Sequence, residues 1–298
     1  VGARYVGNVQ VIAVLSLKGG VGKTTVVLGL AGAALQRGLR TLVVDLDPQA
    51  NASTALEPEL TTATIADVLD EPRRSVVRRA IGGSAWGEDL DVLVGSEGNE
   101  RHNNPEPSLK QLGRLDRALD RLLPREDPDA PGADDDPDYG LVLIDCPPSL
   151  GQLTRSALVA ADRAVLVTDP TIFAVAGVQR AFEAVQNERV EHNPRLQPLG
   201  VLINRVRSRS AEHAFRVAEL RELFGPLVLT GLVPDRSAIQ QAQGACVPIQ
   251  HWDTPGAREV SSVFDGLLGR ILRSADRHDP WPNARQQAVV SGGPPASG

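Results

Sequence analysis

Lys18-Gly19-Gly20-Val21-Gly22-Lys23-Thr24-Thr25 is the stretch on which the fold turns. An apolar run, Val9 to Leu15, precedes it and reads as a buried strand; a helical pattern from Lys23 to about Gln36 follows. Strand, glycine-rich turn and helix in that order are the setting of a phosphate loop. Gly19, Gly20 and Gly22 let the backbone curl so that successive N–H groups, that of Val21 among them, converge on phosphate oxygens. The helix N-terminus adds partial positive charge. Lys23 is expected to reach the β- and γ-phosphates of ATP, the Thr24 hydroxyl to ligate magnesium, and Thr25 to bond a phosphate or the nucleotide.

Outward from the loop, short β-type runs alternate with longer helical ones, the signature of a parallel sheet covered by helices. Strands are expected at 41–44, 90–94, 141–144, 164–168, 199–203 and 227–229. Helices are expected at 64–69, 75–80, 109–123, 153–161, 175–190, 211–224 and 257–275. The alternation has no break, so the reading is one doubly wound α/β domain over residues 1–277. Pro124 to Asp138 is rich in acids and proline and reads as a flexible surface loop; residues 278–298, rich in Pro, Gly, Ser and Gln, read as a disordered tail.

Two strand ends bring carboxylates to the same edge. Leu141-Val142-Leu143-Ile144 runs into Asp145, the Walker B pattern, which predicts a carboxylate that holds magnesium. Val43-Val44 runs into Asp45-Leu46-Asp47, two more acids at that edge.

Composition narrows the function classes. A net charge of −6 argues against general adhesion to nucleic acid, though a local patch remains open. Only three of the 31 basic residues are lysines, and two of those, Lys18 and Lys23, lie in the one loop. Cys146 and Cys246 make neither a disulfide framework nor a metal cluster. No long apolar run precedes the first strand and no stretch of about 18 uncharged apolar residues occurs, so neither a signal peptide nor a membrane span is expected.

These residues resemble the deviant Walker A ATPases and, within them, the short form of the ParA partition proteins. The deviant feature is Lys18, and Asp45-Leu46-Asp47-Pro48-Gln49-Ala50-Asn51 and Asp145-Cys146-Pro147-Pro148-Ser149-Leu150-Gly151 look like ParA signatures. The resemblance covers roughly residues 9–275 and is weakest over 73–138. It implies that Lys18 reaches the partner subunit's phosphates in an ATP-bound homodimer, that Asp47 positions or polarises attacking water, and that Asp45 stands near the magnesium shell. It also implies that Asn204, Pro234 and Asp235 cradle the adenine. Short ParA proteins bind DNA non-specifically as dimers and let go when a ParB-type partner stimulates hydrolysis, which implies a cytoplasmic protein on the nucleoid while ATP is bound.

A DNA-facing surface is expected at Arg205, Arg207, Arg209, Arg216 and Arg221; residues 150–277 sum to near +2, against −8 for residues 1–149. An ordinary arginine-rich solvent face is the alternative. The apolar stripe Val260, Val263, Phe264, Leu267, Leu268 and Ile271 reads as core packing rather than a membrane anchor. Two other readings stay open: a MinD-like positioning ATPase acting on a membrane or protein cargo, and a scaffold that uses ATP only to hold its dimer together.

Overall fold

The computed structural model describes residues 9–122 and 138–274. Its strands are β1 (Gln10–Leu15), β2 (Thr41–Asp45), β3 (Ile81–Gly83), β4 (Leu90–Leu93), β5 (Leu141–Asp145), β6 (Arg163–Thr168), β7 (Gln197–Val206) and β8 (Val228–Pro234). They form one sheet in the order β3-β4-β2-β5-β1-β6-β7-β8, parallel throughout except for β3 against β4. The helices are α1 (Lys23–Gln36), α2 (Asn51–Leu56), α3 (Ile65–Asp70), α4 (Arg74–Arg79), α5 (Leu109–Leu112), α6 (Arg114–Leu122), α7 (Gln152–Ala160), α8 (Ala174–Glu191), α9 (Ala211–Phe224), α10 (Ser237–Gly244) and α11 (Pro255–Ser274). This is the doubly wound α/β domain expected of the sequence.

β1 lies in the middle, between β5 and β6, and all six of its residues are buried. The chain first winds outward through β2 and β4, then returns through β5 and β6 to the other side, so the strand order reverses next to β1. At such a switch point the carboxyl ends of the strands leave a crevice, and ligands bind there. Alternate side chains of the central strands feed two cores. Ile12, Val14, Val43, Leu141 and Leu143 face α1 and α11, while Val11, Ala13, Val44, Val142 and Ile144 face α3, α6 and α7.

α1 shows how tightly the first of those layers closes. A Cβ on Gly29 would stand 2.3 Å from the Phe264 ring of α11, so the two helices approach only because Gly29 has no side chain. Phe264 is fully buried there, a contribution of about 2–3 kcal/mol in apolar burial. Val260, Leu267, Leu268 and Ile271 are buried on the same side, so the α11 stripe is core, as read from its period. No helix of the described residues is long and apolar enough to cross a membrane.

Several elements differ from expectation. The helix foreseen at 109–123 breaks at Gly113 into α5 and α6. β7 continues past Asn204 to Val206, and β8 runs to Pro234 rather than stopping at Leu229. Three elements are additional. α2 begins after Ala50 takes a left-handed conformation, and α10 lies in a polar run, Ser237–Gly244, with little apolar period. β3 contains Gly82 and Gly83, and a Cβ on Gly82 would meet the Glu59 carbonyl at 2.5 Å. The acidic segment up to residue 137, the N-terminal eight residues and the segment from 275 onward lie outside the described residues.

Candidate active site

The loop from Lys18 to Gly22 leaves the carboxyl end of β1 and turns directly into α1. Gly22 has φ 92°, a left-handed value costly for any residue with a Cβ, and that Cβ would lie 2.2 Å from Asn204 Nδ2. Asn204 accounts for the close approach. Its Nδ2 donates to the Val21 carbonyl at 2.7 Å, and its Oδ1 accepts from the Arg205 N–H at 2.9 Å. The carboxamide thus ties the end region of β7 to the phosphate loop. Asn204, one of the residues expected beside an adenine, is buried and braces the loop through this bond.

Lys23, the first residue of α1, is buried, and no described residue forms a hydrogen bond or ion pair with its ammonium. Thr24 Oγ1 donates to Asp145 Oδ2 at 2.7 Å, so the loop hydroxyl and the Walker B acid meet as the sequence predicts. Thr25 Oγ1 accepts from Gln243 Nε2 at 3.1 Å, a contact from α10 that nothing in the sequence pattern flagged.

Parallel pairing of β2 with β5 sets Asp45 in register with Asp145, so both carboxylates emerge at one level. Asp45 Oδ2 accepts from Ser53 N–H at 2.7 Å and from Ser53 Oγ at 2.8 Å, and Ser53 Oγ in turn accepts from the Gly95 N–H at 2.9 Å. Asp45 therefore also fastens α2 and the end of β4 to this edge. Asp47 Oδ1 accepts from the Gln49 N–H at 3.0 Å, in a turn stiffened by Pro48.

Electrostatically the cluster is short of positive charge. Burial, then the neighbouring charge of Asp45, pushes the Asp145 carboxyl up to about 8, against pulls from Thr24 and Lys23. Burial chiefly pushes Asp45 up to about 6, partly offset by its bonds to Ser53. Burial likewise raises the thiol of Cys146, next to Asp145. Asp45 Oδ1 and Asp145 Oδ1 are buried without a hydrogen-bond partner among the described residues. Orphaned carboxylate oxygens of this kind are costly unless a cation meets them.

The donor set fits a hard cation. Thr24 and Asp145 offer oxygens, and among the described residues no group of three or more His, Cys, Asp or Glu forms a complete protein cage. A site with few protein oxygens suits magnesium, which keeps water and phosphate oxygens in its shell.

Lys18 is elsewhere than in the phosphate cradle. Its Nζ lies 2.9 Å from both carboxylate oxygens of Asp169 and 3.3 Å from Thr171 Oγ1. Beyond it opens a pocket of about 320 Å³ lined by Asp169, Thr171, Arg205, Arg207, His213 and Asp235, among others. Of the three residues expected around an adenine, Asp235 alone lines this pocket; Pro234 ends β8 behind it.

Two of the arginines expected on a DNA-facing surface, both exposed, also line this pocket: Arg205, whose backbone is left-handed within β7 (φ 56°), and Arg207, whose Nε is 2.7 Å from Asp235 Oδ2. Arg216 is taken up by Glu212 at 2.7 Å and Glu219 at 3.0 Å, neighbours one turn away on α9. Arg209 and Arg221 are exposed and pair with no described residue.

A family model described as AAA domain (AAA_31) matches residues 9–198. The chain is 31% identical to the chromosome-partitioning ATPase Soj of Thermus thermophilus over 266 residues, covering 89% of this chain and 97% of that protein. It is also 31% identical to the chromosome partitioning protein ParA of Caulobacter vibrioides, over 82% of this chain and 87% of the relative. Among solved structures, cobyrinic acid a,c-diamide synthase from Mycobacterium smegmatis with bound ADP and magnesium has the same fold: TM-score 0.71, 24% identity, 92% of this chain and 98% of that one.

Proposed function

Because the chain belongs to the AAA domain (AAA_31) family and, within it, to the Soj/ParA group of nucleotide-binding ATPases, we propose that it is a ParA-like partition ATPase. It holds ATP and magnesium at the carboxyl edge of the sheet, dimerises on ATP, binds DNA without sequence preference and lets go on hydrolysis. The observation that carries the reading is the meeting of a buried Lys23 with the Thr24–Asp145 pair and two carboxylate oxygens; neither the Lys23 ammonium nor those oxygens find a partner among the described residues.

In this reading the backbone from Gly19 to Thr25 cradles the phosphates and Lys23 neutralises the terminal ones. Thr24 and Asp145 would hold magnesium, with the Asp45 carboxylate at the same level of the edge; the ion would offset charge on the phosphate oxygens. Burial favours the neutral form of Asp145, so it is the group whose negative charge a bound cation would compensate. Asp47 orients the attacking water from a turn that Pro48 and the Gln49 N–H keep rigid. The base occupies the pocket bounded by Asp235 and Arg205, which leaves Asn204 and Pro234 as its scaffold.

Dimerisation is supported at the same edge. Ile172 and Phe173 follow the Asp169–Thr171 partner of Lys18 and are 64% and 71% exposed, large apolar side chains that a second copy would cover. Lys18 leaves Asp169 to meet the partner subunit's phosphates, an exchange of one half-exposed ion pair for a stronger charge.

The test is ATP turnover with magnesium, measured alone, with duplex DNA, and with DNA plus candidate ParB-like proteins encoded beside the gene. Slow basal turnover that rises with partner and DNA is expected, together with duplex binding in ATP that vanishes in ADP. Co-sedimentation with lipid vesicles, with no nucleotide-dependent DNA binding, would point to a membrane-positioning ATPase instead.

A further inference from the structure

Near the amino ends of β6 and β7, away from the phosphate loop, a groove of about 620 Å³ opens between the sheet and α11. Two strands are irregular beside it. Ala164 pairs with Pro198 but Val165 pairs with Gly200, so Leu199 is an extra residue in β7. Val201 pairs with Val228 and Ile203 with Leu232, so β8 places the additional residues of Leu229–Gly231 in a span that β7 crosses in two steps. Bulges of this kind bend a strand out of line and re-aim its side chains.

The groove has two chemically different parts. Its floor is apolar, with Leu199, Leu202, Leu229, Val263 and Leu267. Gly266 of α11 faces it, and a Cβ there would meet nothing within 4 Å. Toward the C-terminal end of α11 stand Arg163, Arg270 and Arg273. Arg163 Nη2 donates to the Ser274 carbonyl at 2.7 Å. Arg270 and Arg273 are exposed and form no hydrogen bond or ion pair with another described residue. The α11 wall is held from behind by Phe264 on Gly29 and by Arg37 on Asp265 at 2.6 Å, so the groove is pre-formed.

The geometry points to a second binding site here, for a small amphipathic anion whose apolar body lies on the leucine floor and whose carboxylate, phosphate or sulfonate meets Arg270 and Arg273. The volume falls in the range of small-molecule sites, which pair an apolar lining with a few convergent polar groups. Guanidinium groups bond such anions in bidentate fashion, and here no described carboxylate competes for these two. The groove shares no residue with the nucleotide edge, so the site is separate from the one proposed for ATP.

The probe is 1-anilinonaphthalene-8-sulfonate, an aromatic sulfonate, titrated into the full chain by fluorescence. One saturable site is expected, displaced by decyl sulfate at concentrations where decanol has no effect. Arg270→Gln with Arg273→Gln should weaken it at least tenfold while the thermal melt is unchanged, and Gly266→Phe should abolish it by filling the groove. If Gly266→Phe fails to fold, the arginine pair decides. Absence of saturable binding, or affinity untouched by the arginine changes, would overturn the assignment. So would binding that appears only when residues 275–298 are removed, since the groove would then be occupied by the chain itself.

Discussion

The carboxyl edge of the sheet and the arginine run from 205 to 221 both invited a reading from sequence, and they behave differently in the fold. At the edge, Thr24 finds Asp145 across 121 residues at 2.7 Å, because β1 and β5 are parallel neighbours and each motif sits at a strand end. Along the arginine run, charge alone set the expectation, and nearby carboxylates claim part of it: Asp235 takes Arg207, and Glu212 and Glu219 take Arg216. A side chain fixed by strand position can be located before the structure is known. A charged residue on a helix surface goes to whichever opposite charge lies within a turn or across the next loop.

The sharpest way to break the comparison is at the edge. Asp47→Ala should lower single-turnover hydrolysis about 10²- to 10⁴-fold, roughly 3–5 kcal/mol, while ATP still binds, because only the orientation of water is lost. Wild-type turnover in that variant would remove Asp47 from the chemistry. Gly22→Ala comes next. The new Cβ is strained at φ 92° and collides with the Asn204 amide, so we expect a loss of about 2–4 kcal/mol in thermal stability together with weakened nucleotide binding. A melt equal to that of the wild type would mean the loop is not braced by Asn204.

Asp145 sharpens the comparison through pH. Its folded carboxyl titrates above its unfolded value, so the folded state binds the extra proton. The stability this gives is complete in acid, below the unfolded value near 4, and is lost as pH rises through about 8. The nucleotide-free protein should therefore melt at progressively lower temperature between pH 5 and pH 9. Asp145→Asn keeps an acceptor for Thr24 and should flatten that slope, raising stability at pH 9 by on the order of a few kcal/mol. A parallel slope in both proteins would place the titration elsewhere.

The smallest effect belongs to the arginine run. Arg209→Glu with Arg221→Glu should weaken duplex binding several-fold in ATP and shallow its salt dependence, because each lost phosphate contact lowers the slope by about one. Arg216→Gln should change it little, its charge being already neutralised by Glu212 and Glu219. Equal losses from the two would mean that duplex contact reorganises α9.

What was legible in the sequence follows the same division. α1 begins and ends where its glycines and apolar period put it, and the register of Asp45 with Asp145 follows from two strands of equal length ending in acids. The contacts of Asn204 with Val21 and of Gln243 with Thr25 join residues 183 and 218 positions apart, and no local pattern encodes them. β3 is not legible in the sequence because two of its three residues are glycine, which carries no strand signal. The extra length of β8 was hidden by Thr230-Gly231, which reads as a stop and is the bulge beside the α11 groove. Asp169 carries no motif signal of its own, and its pairing with Lys18 becomes visible once β6 ends beside the loop.

Lys23 carries the central claim, that this edge is an ATP site. Its side chain is buried beside the Thr24–Asp145 pair, yet no described residue pairs with its ammonium. Calorimetric titration of ATP with magnesium into wild type and Lys23→Ala tests it directly. One ATP per chain is expected in the wild type, with affinity at least 100-fold weaker in the variant, about 3 kcal/mol, and an unchanged fold by circular dichroism. Equal affinity in the two folded proteins would contradict the account.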